Sequence, residues 1–553
     1  MRRSGAACRQ CRIGKRRCDK PVGKPCQACV KRNLQCSICL VTRTNINLQP
    51  ARDFRLQVDQ LTHEDRHLHS SKATPARENG CILKTLDHST VNALLELYIE
   101  YIHDKPHSLF HVPTLRADVL SGAIDSKLLC SILALAARFA ESQETRALGP
   151  RLFEQAKREM KLSLEDISLS MVQTWIVLGN VCGAELESES ESLFFGIAIR
   201  AAHILGLGKH CSDDNAVLRE TKSRVWWSLY MIDTWSAAGL GTPRQMGGKR
   251  TTHDLPFDEY AFHALSVGQA SWPVTPEPGL WAYMITLVEK FGPIQDLNNL
   301  IAEDRASGMH VLSSMKKISS DLDTWEAGLP ATVRLTVDTV AYHKARGQGR
   351  TFVALHLGYH HYATLLYYNS LDRSASSWAS QLSEDQAEAY AYKCRHHACA
   401  LSDLLCMSYK VGQCEAMYNI VGHMAVVSSS VLIHTLLFAG EDQLPAAKAR
   451  LESNFAILMK LKSWWPSVQN MADRLLLFQN ACLRSADKCT HILDHWMVKF
   501  LLEHAIVLGD KTETSLLEAT SPQSIGSTGG VLAQEIFRRG KYTRAALTSL
   551  RNV

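Results

Sequence analysis

The first eighteen residues of the sequence lack an apolar run, so we expect no signal peptide and cysteines that stay reduced. Residues 1–36 also lack the large apolar side chains of a core, since Ile13, Val30 and Leu34 are too few to hold a fold together. Acidic side chains are nearly absent there, with Asp19 alone. This segment must therefore be stabilised by covalent or coordinate bonds.

The sequence also lacks the motifs of common enzymes. It has no GxSxG elbow, and Gly206-x-Gly208 has neither the third glycine nor the preceding strand of a dinucleotide loop. His356 and His360 have no acid between them, unlike HExxH, and are interpreted as packing residues. Four potential ligands on one predicted helix are interpreted as core or surface residues: Cys394, His396, His397 and Cys399. No enzymatic activity is predicted.

One long apolar run lacks charge altogether. Met417–Gly440 contains no Asp, Glu, Lys or Arg and is long enough to cross a bilayer. It also contains Asn419, His423, three serines from Ser428 and His434. These polar residues favour a buried helix of a large helical domain, and no membrane partner is expected.

The residues that are present divide the chain by charge. Hydrophobic residues make up 46% and charged residues 21% of the 553, which is ordinary for a folded protein. Residues 1–36 nevertheless hold eleven Lys or Arg against Asp19, a net charge of +10; because the whole chain is +6, the remainder has a net charge of −4. A basic segment on a mildly acidic body is typical of a module that binds a polyanion.

Six of the seventeen cysteines lie in this basic segment at regular spacing. They form two copies of CxxC-x6-C joined by a loop: Cys8, Cys11, Cys18, Cys26, Cys29 and Cys36. Each CxxC places two thiolates on one turn, which suits a tetrahedral zinc. Two zincs need eight zinc–sulfur bonds, and six thiolates supply eight if two of them bridge both metals. The spacing therefore predicts a binuclear cluster with two zinc ions per chain.

Other assignments of these cysteines fit less well. Cys39 forms a further CxxC with Cys36, but a set that includes it would discard Cys8 and break the duplication. A zinc knuckle or ribbon has four ligands rather than six. The alternative that stays open is a structural zinc module that contacts protein or RNA instead of DNA.

Residues 7–36, ACRQCRIGKRRCDKPVGKPCQACVKRNLQC, resemble the fungal binuclear zinc cluster family of transcription factors. The cysteine intervals agree with the family pattern, as do Asp19 after the third cysteine and Pro25 before the fourth. The resemblance implies that Cys8 and Cys26 bridge both zincs. It assigns the remaining ligands in two pairs, Cys11 and Cys18 on one zinc, Cys29 and Cys36 on the other.

The same resemblance implies how DNA is contacted. In the family, two basic residues at the end of the first helix of the cluster read a CGG triplet. Lys15 occupies the second of these positions, and lysine suits guanine O6 and N7. Gly14 occupies the first, where the family usually has Lys or Arg. The neighbouring basic residues are expected to contact phosphates: Arg12, Arg16, Arg17 and Lys20.

Residues 37–88 are polar and mixed, and 46–88 are predicted to be a linker that follows a 1–45 module. A short heptad trace lies inside it, with seam positions at Ala51, Val58 and Asp65 and at Phe54, Leu61 and Leu68. This is barely two heptads with a charge in the seam, whereas coiled coils sustain three or four. A plain linker helix is favoured, with a short dimerisation helix as the alternative.

Residues 89–510 are predicted to form an all-α domain, because apolar residues recur at helical spacing and no sustained period-two alternation is found. The clearest segments are Leu94–Ile102, Leu128–Phe139, Met171–Leu178 and Leu193–Leu205. Gly206 and Gly208 are expected to end the last of them. Residues 511–553, with the low-complexity stretch Ser521–Gly530, are predicted to be a disordered or loosely packed tail.

A second resemblance covers about residues 91–270 and concerns the fungal-specific regulatory domain that accompanies these zinc clusters. Its motifs are HSLFHVPTL from His107, Val172–Trp175, Glu191–Lys209, Arg224–Tyr230 with Asp233, Gly241–Pro243 and Asp254–Pro256. Thr242 stands where the family often has Arg. The resemblance implies a helical regulatory domain.

Together these features predict a nuclear, zinc-dependent, sequence-specific transcription factor that binds double-stranded DNA and acts on RNA polymerase II genes. One module reads only about three base pairs, so a homodimer on two half-sites is expected. Transcription machinery or coregulators are the expected protein partners. The alternative is a corepressor or scaffold whose zinc module localises it to chromatin without base-specific readout.

Overall fold

The structure, a computed structural model, describes Lys31, 82–105, 107–209, 213–246, 254–272, 277–303, 307–371, 381–485, 493–511 and Arg539. The chain divides into two compact units, Met1–Asn79 and Gly80–Val553. Of the first unit the structure describes Lys31, which is exposed in a turn.

The described part of the second unit is built from α-helices. They are α1 (His88–Tyr101), α2 (Val112–Ser121), α3 (Ser126–Ala136), α4 (Gln143–Arg146), α5 (Leu148–Leu162), α6 (Leu169–Ala184), α7 (Ser188–Leu205), α8 (Ala216–Leu240), α9 (Glu259–His263), α10 (Leu280–Ala302), α11 (Gly308–Ala327), α12 (Val337–Ala345), α13 (Gly349–Tyr367), α14 (Glu384–Lys410), α15 (Ile420–Phe438), α16 (Leu444–Lys462), α17 (Val468–Ser485) and α18 (His495–Leu501). Short 3-10 turns occur at Ile82–Thr85, Ala137–Phe139, Tyr368–Ser370 and Glu441–Gln443. Extended pairing among these residues is limited to isolated bridges. The predicted all-α class is confirmed for this region.

Helix ends follow local sequence signals. Ser383 caps α14 in a capping box with Gln386, each side chain accepting a backbone N–H from the other. Asn215 caps the 25-residue helix α8 through the N–H of Leu218. Gly206 ends α7 with a left-handed φ of 63°, a conformation that costs glycine little, as predicted.

The helices pack in sequence-adjacent groups around one large apolar core, and a small separate cluster lies at Ala216, Val217, Phe262 and Leu265. α6 packs against α3 and α7, α13 against α10 and α14, and α15 against α14, α16 and α17. The largest fully buried apolar side chains include Trp175 on α6 and Trp281 on α10. Burial of such a side chain stabilises the fold by about 1.5–3 kcal/mol, so the second unit has a sizeable core of its own.

The uncharged run becomes α15, which is long and apolar enough to span a membrane but is 94% buried inside the protein. Core helices of soluble proteins can be equally long and apolar. Its polar residues are paired with neighbouring helices: Ser428 donates to the Ala398 carbonyl at 2.8 Å, and Asn454 donates to Ser429 Oγ at 3.1 Å. His423 Nε2 hydrogen-bonds the Leu501 carbonyl at 2.8 Å. The prediction of a buried helix is confirmed.

Candidate functional site

The predicted zinc and DNA contacts all lie outside the described residues. These are the ligands Cys8, Cys11, Cys18, Cys26, Cys29 and Cys36 and the basic residues Arg12, Lys15, Arg16, Arg17 and Lys20. The donor set is six thiolates, which is the chemistry that zinc prefers in structural sites. Their assignment stays a prediction from spacing and resemblance, as does the heptad trace of the linker.

The motifs of the second unit converge on the first half of α8. Ser108, from the HSLFHVPTL motif, donates its N–H to Ser228 Oγ at 3.0 Å, and Ser228 donates back to the Ser108 carbonyl at 3.1 Å. Trp227 Nε1 donates to the Asp254 carbonyl at 3.0 Å. Side-chain to backbone hydrogen bonds thus join α8 to segments that are 120 and 27 residues away in sequence.

A fully buried arginine lies at the centre of this junction. Arg224 is 0% exposed and donates from Nε to Glu220 Oε1 at 2.8 Å, one helical turn earlier. Its Nη1 donates to Ser108 Oγ at 3.0 Å and lies 3.6 Å from Glu259 Oε1. Burial alone would lower the pKa of this guanidinium, but the Glu220 and Glu259 carboxylates raise it above its usual value. Arg224 therefore stays charged and holds two acidic side chains together.

Glu259 also connects α9 to α10. Its two carboxylate oxygens accept the N–H groups of Leu280 and Trp281, the first residues of α10, at 2.9 and 3.1 Å. A Cβ on Gly279 would lie only 2.6 Å from Glu259 Oε2, so glycine is required for this close approach. Burial raises the pKa of Glu259 to about 7, and the nearby Arg224 opposes that rise. The carboxyl acts as the N-terminal anchor of α10.

Asp104 lies beside this network, between two histidines. The Phe110 N–H donates to His103 Nε2 at 3.0 Å, so the proton of the neutral ring is on Nδ1, which faces Asp104 Oδ2 at 3.3 Å. The Val112 N–H donates to His263 Nδ1 at 3.3 Å, which places that ring's proton on Nε2, 2.9 Å from the same oxygen. Burial raises the pKa of Asp104, but both imidazoles act in the other direction and bring it well below its usual value.

The potential ligand atoms of His103, Asp104 and His263 are spaced as in a metal site, but the two rings carry protons on the nitrogens that a metal would need. The ligand atoms lie within 4.8 Å of one another. A metal needs the ring nitrogen's lone pair, whereas the backbone N–H groups of Phe110 and Val112 fix tautomers whose N–H bonds point toward Asp104. The arrangement is a hydrogen-bonded His–Asp–His contact that holds Asp104 at its left-handed φ of 60°.

Three cavities flank the same junction. The largest, about 520 Å³, is named the acidic cavity because Asp118 and Asp125 line it. A second, of about 410 Å³, is named the donor cavity and is lined by Lys105, Tyr260, His263, Arg346 and Gln348 among others. The third, about 210 Å³, is named the tryptophan cavity and is lined by Trp226, Trp272 and Lys222 among others. The first two fall in the size range of small-molecule sites.

The residues interpreted as packing residues do pack. His356 is buried on α13, and its Nε2 hydrogen-bonds the Val333 carbonyl at 2.9 Å. His360 Nδ1 lies 3.0 Å from Nδ1 of His397 on α14, and burial lowers the pKa of the two rings to about 3 and about 4. Cys394 is buried on the same helix, and burial raises the pKa of its thiol. None of these four side chains is set up as an exposed ligand or nucleophile.

Comparison with known proteins places two domains on the chain. Residues 6–44 match the fungal Zn(2)-Cys(6) binuclear cluster domain, and residues 95–271 match the fungal specific transcription factor domain. In both of these domains the chain is similar to the fungal Zn(2)-Cys(6) transcription factors. The second match runs from within α1 to beyond α9, so the Arg224 network and the Asp104 contact both lie inside the domain that this family shares.

The most similar relatives found include two fungal regulators. An uncharacterized transcriptional regulatory protein of Schizosaccharomyces pombe is 22% identical over 432 residues, which is 69% of this chain and 51% of that protein. The Zn(2)-C6 fungal-type transcription factor FTF2 of Fusarium oxysporum f. sp. lycopersici is 22% identical over 475 residues, 77% of this chain and 42% of the relative. The chain thus spans about half the length of the curated relatives it matches.

The sequence motifs indicated which segments meet but not the contacts between them. Arg224 lies in the Arg224–Tyr230 motif, but none of the motifs contains its partner Glu259 or the Asp104–His263 pair. A charged residue among apolar neighbours in Arg224–Tyr230 was the one available signal, because a buried arginine requires acidic partners. Nothing local to Asp104 indicates a partner 159 residues away.

Proposed function

We propose that this chain is a sequence-specific DNA-binding transcription factor that acts in the nucleus on RNA polymerase II genes and binds CGG-like half-sites. The observation that carries the proposal is the duplicated CxxC-x6-C pattern on a segment of net charge +10. Six thiolates with two zincs leave that segment strongly positive, which favours phosphate contacts. The family match at residues 6–44 supports the same function.

The proposed site consists of two zinc ions held by Cys8, Cys11, Cys18, Cys26, Cys29 and Cys36, with Lys15 on the base edges and Arg12, Arg16, Arg17 and Lys20 on phosphates. Its proposed context is a module at 1–45, a linker at 46–88, a regulatory body at 89–510 and a tail at 511–553. The described α-helices run from His88 to Leu501, and the second compact unit begins at Gly80, a few residues before the proposed start of the body. A homodimer and contacts with transcription machinery or coregulators complete the proposal.

Random-site selection with the full chain tests this function. We expect enrichment of CGG-like triplets, and the spacing between two of them would reveal the dimer. Footprinting with base-specific reagents should show protected guanines. Selection that returns no motif, together with no protected base, would favour the alternative, a corepressor or scaffold that is localised to chromatin without base-specific readout.

The role of Lys15 can be separated from that of its neighbours. If Lys15 donates to guanine, Lys15→Ala should cost about 1–3 kcal/mol on the selected site and much less on random DNA. Arg17→Ala should weaken both kinds of DNA similarly and reduce the salt dependence by about one phosphate contact. Equal losses for Lys15→Ala on both DNAs would remove Lys15 from base recognition.

A further inference from the structure

The donor cavity lies where four parts of the second unit meet. Its walls come from the end of α1 and the loop after it, from Val112 and Arg116 of α2, from α9, and from the turn between α12 and α13. Ile99, Val112 and Ala264 contribute apolar surface, and Tyr260, 56% exposed, lies on one side. At about 410 Å³ the cavity is large enough for a small organic molecule.

The acidic groups of this cavity are already engaged. Asp104 accepts hydrogen bonds from His263 and Ser108 and faces His103 Nδ1. Glu259 accepts two backbone N–H groups and lies beside Arg224. Neither carboxylate is therefore available to a cationic ligand.

The hydrogen-bond donors of the cavity, by contrast, are incompletely paired. Gln348 is 8% exposed, and its Nε2 is buried without an acceptor among the described residues, as is Nε of Arg346. Lys105 is 9% exposed, and the one acceptor found for its Nζ in the described region is the Ile99 carbonyl at 3.1 Å. A buried donor without a partner destabilises the protein, and a buried ammonium without an ion pair does so more strongly.

The pKa of Lys105 also indicates that acidic neighbours do not fully compensate the burial of its ammonium. Burial lowers the pKa of its ammonium to about 8, and the attraction of Asp104 opposes this only in part. Arg346 has a salt bridge to Asp258 at 3.1 Å and stacks over Tyr260, so its charge is already paired and only its Nε lacks an acceptor among the described residues. The described lining residues therefore favour an anionic ligand that accepts hydrogen bonds.

We propose that the donor cavity binds a small organic monocarboxylate, whose carboxylate oxygens accept hydrogen bonds from Lys105 and Gln348 while its apolar body contacts Ile99, Val112 and Ala264. A single carboxylate has two oxygens for these two donors and one charge for one unpaired ammonium. Inorganic phosphate shares the anionic chemistry but would leave the apolar wall without a partner. The acidic cavity has the opposite lining charge, with Asp118 and Asp125, and serves as an internal contrast.

Matched carboxylates and amides test this site in the full chain. We expect benzoate, hexanoate or both to bind in calorimetry with one site per chain and to raise the melting temperature, while benzamide and hexanamide bind at least tenfold more weakly. Inorganic phosphate should not displace the carboxylate. The assignment is overturned if neither carboxylate binds at about 10 mM, if the amides bind equally well, or if phosphate competes as an adventitious ion would.

Two variants and a control locate the binding. Lys105→Met and Gln348→Met should each weaken carboxylate binding by tenfold or more, whereas Lys222→Met, at the tryptophan cavity, should leave it unchanged. Retained affinity in both cavity variants would place the ligand elsewhere and overturn the proposal. If Lys105→Met does not fold, the affinity of Gln348→Met and the comparison of carboxylates with amides still test the proposal. Ligand binding here is measured without DNA, so it fails or succeeds independently of the proposed DNA-binding function.

Discussion

The cysteine-rich segment and the helical second unit differ in what their sequences offer for stability. Residues 1–45 contain few large apolar side chains, and we propose that they depend on metal coordination by local cysteine pairs. The described helices from His88 to Leu501 bury large apolar side chains and a charged network centred on Arg224. Loss of zinc should therefore abolish one function without unfolding the rest, while loss of one buried charge should destabilise the second unit without touching the cysteines.

The largest expected effect is the removal of zinc. Structural zinc contributes on the order of 10 kcal/mol or more to the folding of such modules. A chelator or Cys8→Ala should abolish specific DNA binding, and Cys8→Ala should do more damage than Cys11→Ala because a bridging thiolate serves both metals. Elemental analysis should give two zincs per unmodified chain.

If the two regions are stabilised separately, the helices of the second unit should not depend on zinc. Far-UV circular dichroism of the full chain should keep most of its helical signal after chelation. Cys39→Ala is the matched control and should leave the zinc content unchanged. One zinc per chain, or a loss of most helical signal on chelation, would contradict the separation of the two regions.

The next effect concerns the buried charge of the second unit. Arg224→Met should destabilise this unit by about 3–5 kcal/mol, because it leaves the buried carboxylates Glu220 and Glu259 without their cation. The measurement is chemical denaturation followed by circular dichroism. Arg116→Met is the control, since the Arg116–Glu96 pair is about half exposed and should contribute no more than about 1 kcal/mol. Equal losses for both variants would show that the Arg224 network is not special.

Predictability from sequence differs between the two regions for a physical reason. Successive predicted zinc ligands are separated by two to seven intervening residues, so the spacing of Cys8 to Cys36 itself indicates the coordination chemistry. The all-α class and the burial of α15 followed from periodicity and composition. The contact between Asp104 and His263 did not, because it depends on how α9 packs against the loop after α1, and no local pattern encodes that packing. The position of Gln348 in the donor cavity could not be predicted from the sequence for the same reason.

A smaller effect tests the burial of histidines in the core. His361 is 4% exposed, and burial, with a contribution from His504, lowers the pKa of its ring to about 3. The unfolded ring titrates near 6.5, so the unfolded state binds more protons and stability is lost as the pH falls from 6.5 toward 3. At pH 5 this amounts to about 2 kcal/mol for one ring.

The variant His361→Leu should therefore lose about 2 kcal/mol less than the unmodified chain between pH 7 and pH 5, measured by denaturation at each pH. Glu191 and Glu259, whose pKa values burial raises to about 7, act in the opposite direction but are present in both proteins. His310→Leu, which replaces a ring that is exposed in the folded state, is the control variant. An unchanged slope for His361→Leu would contradict its burial as a neutral ring.

The smallest expected effect returns to the cysteine-rich segment and the departure at Gly14. The family's first base-reading position has no side chain here, so one hydrogen-bonding contact to the CGG triplet is missing by resemblance. Gly14→Lys should restore it and improve discrimination of CGG half-sites over random DNA by about 1 kcal/mol, the lower end for a base contact. Gly14→Ala separates this from helix propensity, because alanine favours a helix by about 1 kcal/mol over glycine without reaching a base. Specific and random DNA should then gain equally from Gly14→Ala and unequally from Gly14→Lys. If both variants change the two affinities in parallel, position 14 does not face the bases, and Lys15 alone carries the proposed readout.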